Sequence, residues 1–329
     1  MGLLNRPEVI ILKESSDARD YLSKLEDLQK KIAPKSKLAK LIEKEIALTQ
    51  AGIIGEDTIM FELKNSGMDL VVLHDIYIET SDGRGAQIDY FVVTPYVNVF
   101  IECKNLYGDI EINSKGDFIR TFTYGNKKVK EGIYSPITQN ERHLSINKEI
   151  VAQNKGVLGL ALLNHAYDDY NKSLVVLANP KTVVNDRYAP KSVKAKVIRC
   201  DQLVATLKDL KSSNKSSKKE MLQIGERMLS RNIDSRKDYV QKYIEMQQAA
   251  EEEKSHSSET VPSDSSDDSG IRDEKAVPDE NPSTKEEAEL VCPRCGKELV
   301  LRTAKKGDNA GNQFYGCSGF PKCRYIRKL

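Results

Sequence analysis

The sequence predicts a mixed α/β fold, a β-sheet flanked by helices, with a separate small metal-folded unit at its C-terminal end. Three observations carry that expectation. Lys- and Glu-rich stretches with apolar residues recurring at three and four precede a block of β-branched and aromatic runs, and further helical and strand runs follow it. A Ser-, Asp- and Pro-rich segment with few apolar side chains comes next. Beyond it, four cysteines stand as two close pairs separated by 21 residues.

Residues 17–50 read as two charged helices, DARDYLSKLEDLQKKI before Pro34 and SKLAKLIEKEIALTQAG after it. A further helix is expected to begin near Gly52 and run through GEDTIMFELKNSG, with Ile59, Met60 and Leu63 as its apolar stripe and Gly67 as its stop. Glu56 then lies in its first turn. LVVLHDIYIE, Leu70 to Glu79, is a strand. After the turn SDGRGA, QIDYFVVTPYVNVFIECKN, Gln87 to Asn105, is a β-hairpin punctuated by Pro95 and Asn98. GDIEINSKGDFIRTFTYGNKKVKEG reads as short antiparallel strands with Gly at the turns. Residues 135–164 are expected to open with an exposed loop and continue as a helix. Ser173 to Asn179 is a buried strand, and Val197 to Cys200 another before a helix capped near Asp201. Two more helices are expected in 215–253.

The chain thus divides into an N-terminal helical region at 1–50, an α/β domain at 51–211, a helical extension at 212–253, a disordered linker at 254–288 and the cysteine unit at 289–329.

Of the 329 residues 30% are charged and 39% hydrophobic, the balance of a soluble protein of about two domains. A net charge of only +2 conceals segregation. Residues 249–290 carry −10, residues 291–329 carry +7, and the preceding body carries +5. A basic tail behind an acidic spacer points to nucleic acid as the partner rather than membrane or acidic small molecules. The opening residues lack a small-residue cleavage site, and the longest apolar run, Gly156 to Leu163, is too short to cross a bilayer. The expected location is cytoplasmic, where six cysteines argue against a disulfide framework.

Chemistry concentrates in the hairpin. Side chains alternate faces along a strand, which puts Gln87 with Asp89 on one face of the first strand and Glu102 with Lys104 on one face of the second. Were these one face of the sheet, two carboxylates, an amide and an ammonium would converge beside an apolar core. A carboxylate pair on adjacent strands suits a hard divalent cation, Mg²⁺ or Mn²⁺, which keeps waters and takes substrate phosphate. A neighbouring Lys can orient the attacking water and offset charge building on a phosphoryl group. Cys103, on the opposite face, is expected in the core. The bland alternatives are a Glu56 that merely favours a helix N-terminus and surface positions for Gln139 and His143. Asp89 resists such an explanation, because an acid inside IDYFVV needs a partner.

Gly55-Glu56, Gln87-Ile88-Asp89, Ile101-Glu102-Cys103-Lys104-Asn105 with Gly108 after it, then Pro136 and Gln139-Asn140-Glu141-Arg142-His143 together resemble the nuclease-related domain called NERD. That family is similar to the PD-(D/E)XK nuclease superfamily, whose site is an acid on one strand followed by Glu-x-Lys on the next. The resemblance covers about residues 50–165 and implies a restriction-endonuclease-like core. It makes Asp89 and Glu102 metal ligands, Lys104 the water-orienting or charge-neutralising residue, Glu56 an auxiliary acid and Gln139 a supporting residue. The stretch after Gly108 lacks the Trp that relatives carry, and Phe118 or Phe122 stands in that place.

Cys292-Pro-Arg-Cys295-Gly296 is a metal knuckle, and Cys317 with Cys323 supplies a second pair. Four thiolates suit tetrahedral Zn²⁺, and so small a unit has too little core to fold without it. CPRCGKELVLR and FYGCSGFPKCRY resemble the C-terminal zinc ribbon of type IA DNA topoisomerases. The resemblance implies DNA as partner, single-stranded DNA included. Phe314, Tyr315, Phe320 and Tyr325 would stack bases while Arg302, Lys322 and Arg324 meet phosphates, although some of these aromatics must pack the tiny core.

Two functions compete: a metal-dependent deoxyribonuclease with a DNA-binding tail, serving DNA processing or repair, and a non-catalytic nucleic-acid-binding scaffold that keeps the fold. Asp89, Glu102 and Lys104 together favour the enzyme, since a binding module needs no such set. A topoisomerase is excluded by length and by the absence of a catalytic tyrosine context.

Overall fold

The computed structural model describes residues 6–153, 155–233, 239–258, 299–303, 313–319 and 323–328. These fall into two compact units, 1–261 and 262–329. Most of the expected linker lies outside the described residues.

The first unit is built on a six-stranded mixed sheet. Its strands are β1 (Val9–Lys13), β2 (Leu70–Glu79), β3 (Gly85–Val93), β4 (Asn98–Lys104), β8 (Asn171–Leu177) and β10 (Val197–Arg199), hydrogen-bonded in that order. Strands β2, β3 and β4 form the antiparallel centre, and β1, β8 and β10 join in parallel. The remaining strands, β5 (Asp109–Ile112), β6 (Phe118–Tyr124), β7 (Lys127–Ile133) and β9 (Val184–Asn185), make a second sheet in the order β7-β6-β5-β9. The helices are α1 (Asp17–Lys31), α2 (Lys37–Lys64), α3 (Pro136–Ala152), α4 (Val157–Tyr170), α5 (Lys191–Lys194), α6 (Leu203–Asp209), α7 (Lys218–Leu229) and α8 (Gln241–Ser258).

Helices cover both faces of the large sheet. On one, Ile59, Met60 and Leu63 of α2 and Leu203 and Leu207 of α6 pack on Tyr90, Val92, Val99 and Ile101. On the other, Leu144, Ile146 and Ile150 of α3 and Met221 and Met228 of α7 pack on Phe91, Val93 and Phe100. The second sheet docks Ile110, Ile112 and Phe118 onto Ile137, Val175 and Leu177. Phe118, one of two candidates for the missing Trp position, is thus a core residue. Among the described residues no helix is long and apolar enough to cross a membrane.

The structure corrects the expected elements in three places. VIILK, to which the sequence reading assigns no element, is β1, which pairs with β2 at the edge of the sheet. The helix expected to start near Gly52 is the second half of α2, which runs unbroken for 28 residues and places Glu56 far from any helix N-terminus, so a dipole role for it falls away. Gly55 survives inside this helix because a Cβ there would lie 2.6 Å from the Asn105 Cβ and 3.1 Å from the Cys103 Sγ. The intrinsic helical cost of Gly, about 1 kcal/mol, is outweighed by the close approach of α2 to the end of β4. The exposed loop expected from 135 is instead the first turn of α3, capped by Ser135 with Pro136 at its start, and the single helix expected there is two. Gly108, at φ 99°, then turns the chain from β4 into β5, where a Cβ would collide with the Thr121 carbonyl.

The second unit holds a three-stranded antiparallel sheet, β11 (Leu299–Thr303), β12 (Gln313–Cys317) and β13 (Ile326–Lys328).

Candidate active site

Strand alternation breaks once on β2 and once on β3. Leu73, Ile76, Ile88 and Phe91 all face α3 and α7. Between them two consecutive residues on each strand turn to the other side. His74 bonds Glu56 of α2, and Asp75 accepts from the Asp17 amide of α1. Tyr90 OH donates to the Glu56 carbonyl at 2.7 Å, and Asp89 shares a cavity of about 360 Å³ with Glu56, Asp75 and Gln87. Asp75 absorbs this irregularity at φ 56°, a left-handed conformation that Asp tolerates better than branched residues.

The break sets Asp89. The paired register of β3 and β4 ends at Tyr90 and Ile101. One step further the Asp89 carboxylate stands in for the missing strand partner, its Oδ2 accepting from the Cys103 amide at 2.7 Å. Gln87 and Asp89 do share a face, as alternation predicts, but it is the α2 face. Glu102 and Lys104, alternating with Phe100, occupy the α3 face. The strict convergence on one face therefore does not occur, and Gln87 is spent on a hydrogen bond to Asp75. Asp89 instead meets β4 at the Cys103 amide, near enough for the Glu102 charge to be felt at its carboxyl.

Glu102 is 1% exposed. Its Oε1 accepts from Lys104 Nζ at 2.6 Å, and Lys104 also donates to Gln139 Oε1 at 3.3 Å, which places Gln139 beside Lys104 rather than on the surface. The other Glu102 oxygen, Oε2, is buried without a hydrogen-bond partner. His143, expected on the surface, is buried one turn along α3 with Nδ1 3.7 Å from that oxygen. Its neighbour Asn140 is fully buried and ties α3 to the sheet through the Phe100 and Leu174 carbonyls. The i, i+3 spacing of Asn140 and His143 was the available signal that this face of the helix looks inward.

Burial raises the pKa of Asp89 well above the usual carboxylate range, and the negative charge of Glu102 adds to it. Burial raises Glu102 likewise, with Lys104 opposing. For Lys104 burial works against the charge, yet Glu102 outweighs it and the ammonium is retained. Burial, then Lys104, depresses His143 to about 4, leaving a neutral imidazole. Cys103 is held as a thiol by burial and by the Asp89 and Glu56 charges, consistent with its expected core role. Two carboxylates that burial disfavours as anions, Asp89 further opposed by the Glu102 charge and Glu102 with an orphaned buried oxygen, fit a divalent cation. Among the described residues no three His, Cys, Asp or Glu side chains converge as a ready-made cage. A cation here would draw on two carboxylates, waters and substrate oxygens.

Glu56 has a partner the sequence did not announce. His74 Nδ1 lies 3.0 Å from the Glu14 carbonyl and must donate to it; Nε2 lies 2.9 Å from Glu56 Oε2. Both neighbours are acceptors, so the ring is an imidazolium. Burial opposes that charge, but the Glu56 and Glu14 hydrogen bonds and the Glu56 and Asp75 charges raise the pKa above 6.5. The folded state therefore keeps a proton that an unfolded His loses. The contribution is complete below about pH 6.5 and is lost as pH rises through the folded value. In urea titrations the stability advantage of wild type over His74→Gln should shrink as pH rises above about 6.5; an advantage that grows with pH would mean a neutral ring.

In the second unit the Gly319 amide lies 3.3 Å from Cys317 Sγ, Cys317 N donates to the Tyr325 carbonyl and Cys323 N to the Gly319 carbonyl. Leu299 and Cys317 are buried, with Tyr315, Cys323 and Tyr325 packed against them. Tyr315 and Tyr325 are thus partly committed to the core, while Arg302 and Arg324 are exposed. Phe314 occupies β12 opposite Arg302. Cys292, Cys295, Phe320 and Lys322 lie outside the described residues.

Residues 51–178 match the family model described as nuclease-related domain (NERD), and residues 289–329 match that of the topoisomerase DNA binding C4 zinc finger. Among curated proteins the chain is 50% identical over 38 residues to "Uncharacterized protein YrdD" of Escherichia coli (strain K12), covering 12% of this chain and 18% of that protein. It is 50% identical over 44 residues to "DNA topoisomerase 1" of Mycoplasma genitalium, 12% of this chain and 6% of the relative. It is 48% identical over 43 residues to "DNA topoisomerase 1" of Methanocaldococcus jannaschii, 13% of this chain and 5% of the relative. The chain spans less than a fifth of the length of these relatives. No solved structure matches.

Proposed function

We propose that the first unit is a divalent-cation-dependent nuclease that hydrolyses DNA phosphodiester bonds, and that the zinc ribbon binds DNA, single strands included, and holds the substrate near the site. The observation that carries this reading is the buried, unpartnered Glu102 Oε2 beside a charged Lys104 and near enough to Asp89 for the Glu102 charge to be felt there. A structural salt bridge would leave no carboxylate oxygen orphaned in the core.

Asp89 and Glu102 would hold the cation, Mg²⁺ or Mn²⁺, which when bound supplies Lewis-acid polarisation of the scissile phosphate. Lys104, fixed between Glu102 and Gln139, orients the attacking water and meets the charge that develops on the phosphoryl oxygens. Glu56, paired with His74, stands on the α2 side as the auxiliary acid. The ribbon's basic surface would concentrate DNA, in keeping with the words "DNA binding" in the matched family's description. The setting is DNA processing or repair in the cytoplasm.

The test is cleavage of single-stranded, duplex and nicked DNA, and of RNA, by the purified full chain with Mg²⁺, Mn²⁺ or chelator. The expected result is chelator-sensitive DNA cleavage. No cleavage of any form, with DNA binding intact, selects the non-catalytic scaffold, a reading favoured by the capture of Asp89 by the Cys103 amide.

A further inference from the structure

The gap between Glu102 and His143 holds two buried polar atoms that face each other and satisfy nothing. Glu102 Oε2 and His143 Nδ1 are 3.7 Å apart, too far for a hydrogen bond, and neither has another partner. Each orphan costs about 1–3 kcal/mol. Lys104 engages only Oε1, so it leaves this oxygen untouched. Two donors, each about 2.1 Å from one ion, stand between about 3.0 and about 4.2 Å apart as the angle at the ion opens from 90° to 180°. The observed separation lies inside that range.

We propose that His143 Nδ1 and Glu102 Oε2 form a nitrogen–oxygen ligand pair that takes a divalent transition cation, Mn²⁺ among the common ones, in preference to Mg²⁺. The inference rests on the proposed function only in sharing Glu102. Mg²⁺ is a hard ion that seeks oxygen, and an imidazole in its shell replaces a better ligand; ions toward the middle of the first transition row gain from nitrogen. His143 is rigidly placed, since α3 is fastened to the sheet by Asn140, so the nitrogen is delivered without rearrangement. One carboxylate and one imidazole would leave the ion's other coordination positions to water or a phosphate oxygen.

The experiment uses untagged, zinc-loaded full chain and MnCl₂, without nucleic acid. Pulsed electron paramagnetic resonance of the bound Mn²⁺ should show nitrogen coupling from one imidazole, and the coupling should vanish in His143→Gln. The chain has four histidines, so the variant assigns the signal. In calorimetric titrations His143→Gln should weaken Mn²⁺ by about tenfold or more while changing Mg²⁺ affinity by less than about threefold. Nitrogen coupling is read on wild type, so misfolding of the variant cannot hide a failure. Absence of coupling in Mn²⁺-loaded wild type, or coupling that persists in His143→Gln, overturns the proposal. Cleavage without nitrogen coupling would defeat this proposal alone; coupling without cleavage would defeat only the nuclease reading.

Discussion

Glu102→Gln should reduce cation-dependent DNA cleavage by about a thousandfold or more while the chain stays folded. The substitution keeps volume and still offers Lys104 an acceptor, but it removes the charge that the cation and the developing phosphoryl charge both require. Asp89→Asn should lose a similar factor, because its remaining oxygen can keep the Cys103 amide while the second carboxylate charge is gone. Lys104→Ala should cut turnover by about a hundredfold or more with little change in cation affinity, since its proposed work lies in the transition state. Glu56→Gln should fall between wild type and Glu102→Gln, because Glu56 stands on the α2 side, paired with His74, as an auxiliary acid. Single-turnover rates with urea midpoints as a fold control decide the matter. A Glu102→Gln protein as active as wild type would assign cleavage to a contaminant or to another site.

Much of this site was legible because its residues violate the environment their neighbours demand. Asp89 in IDYFVV and Glu102 in FIECK are acids inside strands buried on both faces, and such acids need partners. The strands, the hairpin and the alternation of Glu102 with Lys104 followed from period-two patterning. The paired break at Asp75 and Asp89 was not readable, since a bulge changes no residue's polarity and leaves the strand length intact; only an isolated Asp in LVVLHDIYIE hinted at it. For the same reason the faces of Gln87 and Glu102 could not be related from sequence. The uninterrupted α2 defeated a local rule: Gly52 and Gly55 suggest a helix start, but tertiary approach to β4 decided the matter. His143 and His74 were missed as partners because a histidine's role is set by what stands opposite its two nitrogens, and those groups come from distant elements.

Removing zinc should unfold the C-terminal unit and leave the α/β unit standing. Among the described residues the second unit buries only Leu299 and Cys317 fully as apolar core, too little to offset the conformational entropy of the segment. Apparent binding energies of about 10–16 kcal/mol for structural zinc are large enough to supply the whole deficit. The topoisomerase-type C4 match supports that metal, and the Gly319 amide directed at Cys317 Sγ is the arrangement expected of a thiolate held in a knuckle. One equivalent of zinc per chain is expected. Cys292→Ser tests it more cleanly than Cys317→Ser, because Cys317 also fills the small core. In the full chain Cys292→Ser, or a strong chelator, should abolish dispersed amide signals from 299–328, and the α/β unit should keep its urea midpoint. DNA affinity should fall with them and its salt dependence flatten, since residues 291–329 carry +7 and stacking adds about 1–3 kcal/mol per base engaged. A tail that keeps its dispersed signals after zinc is stripped would show that its aromatic core, not the metal, holds the ribbon together.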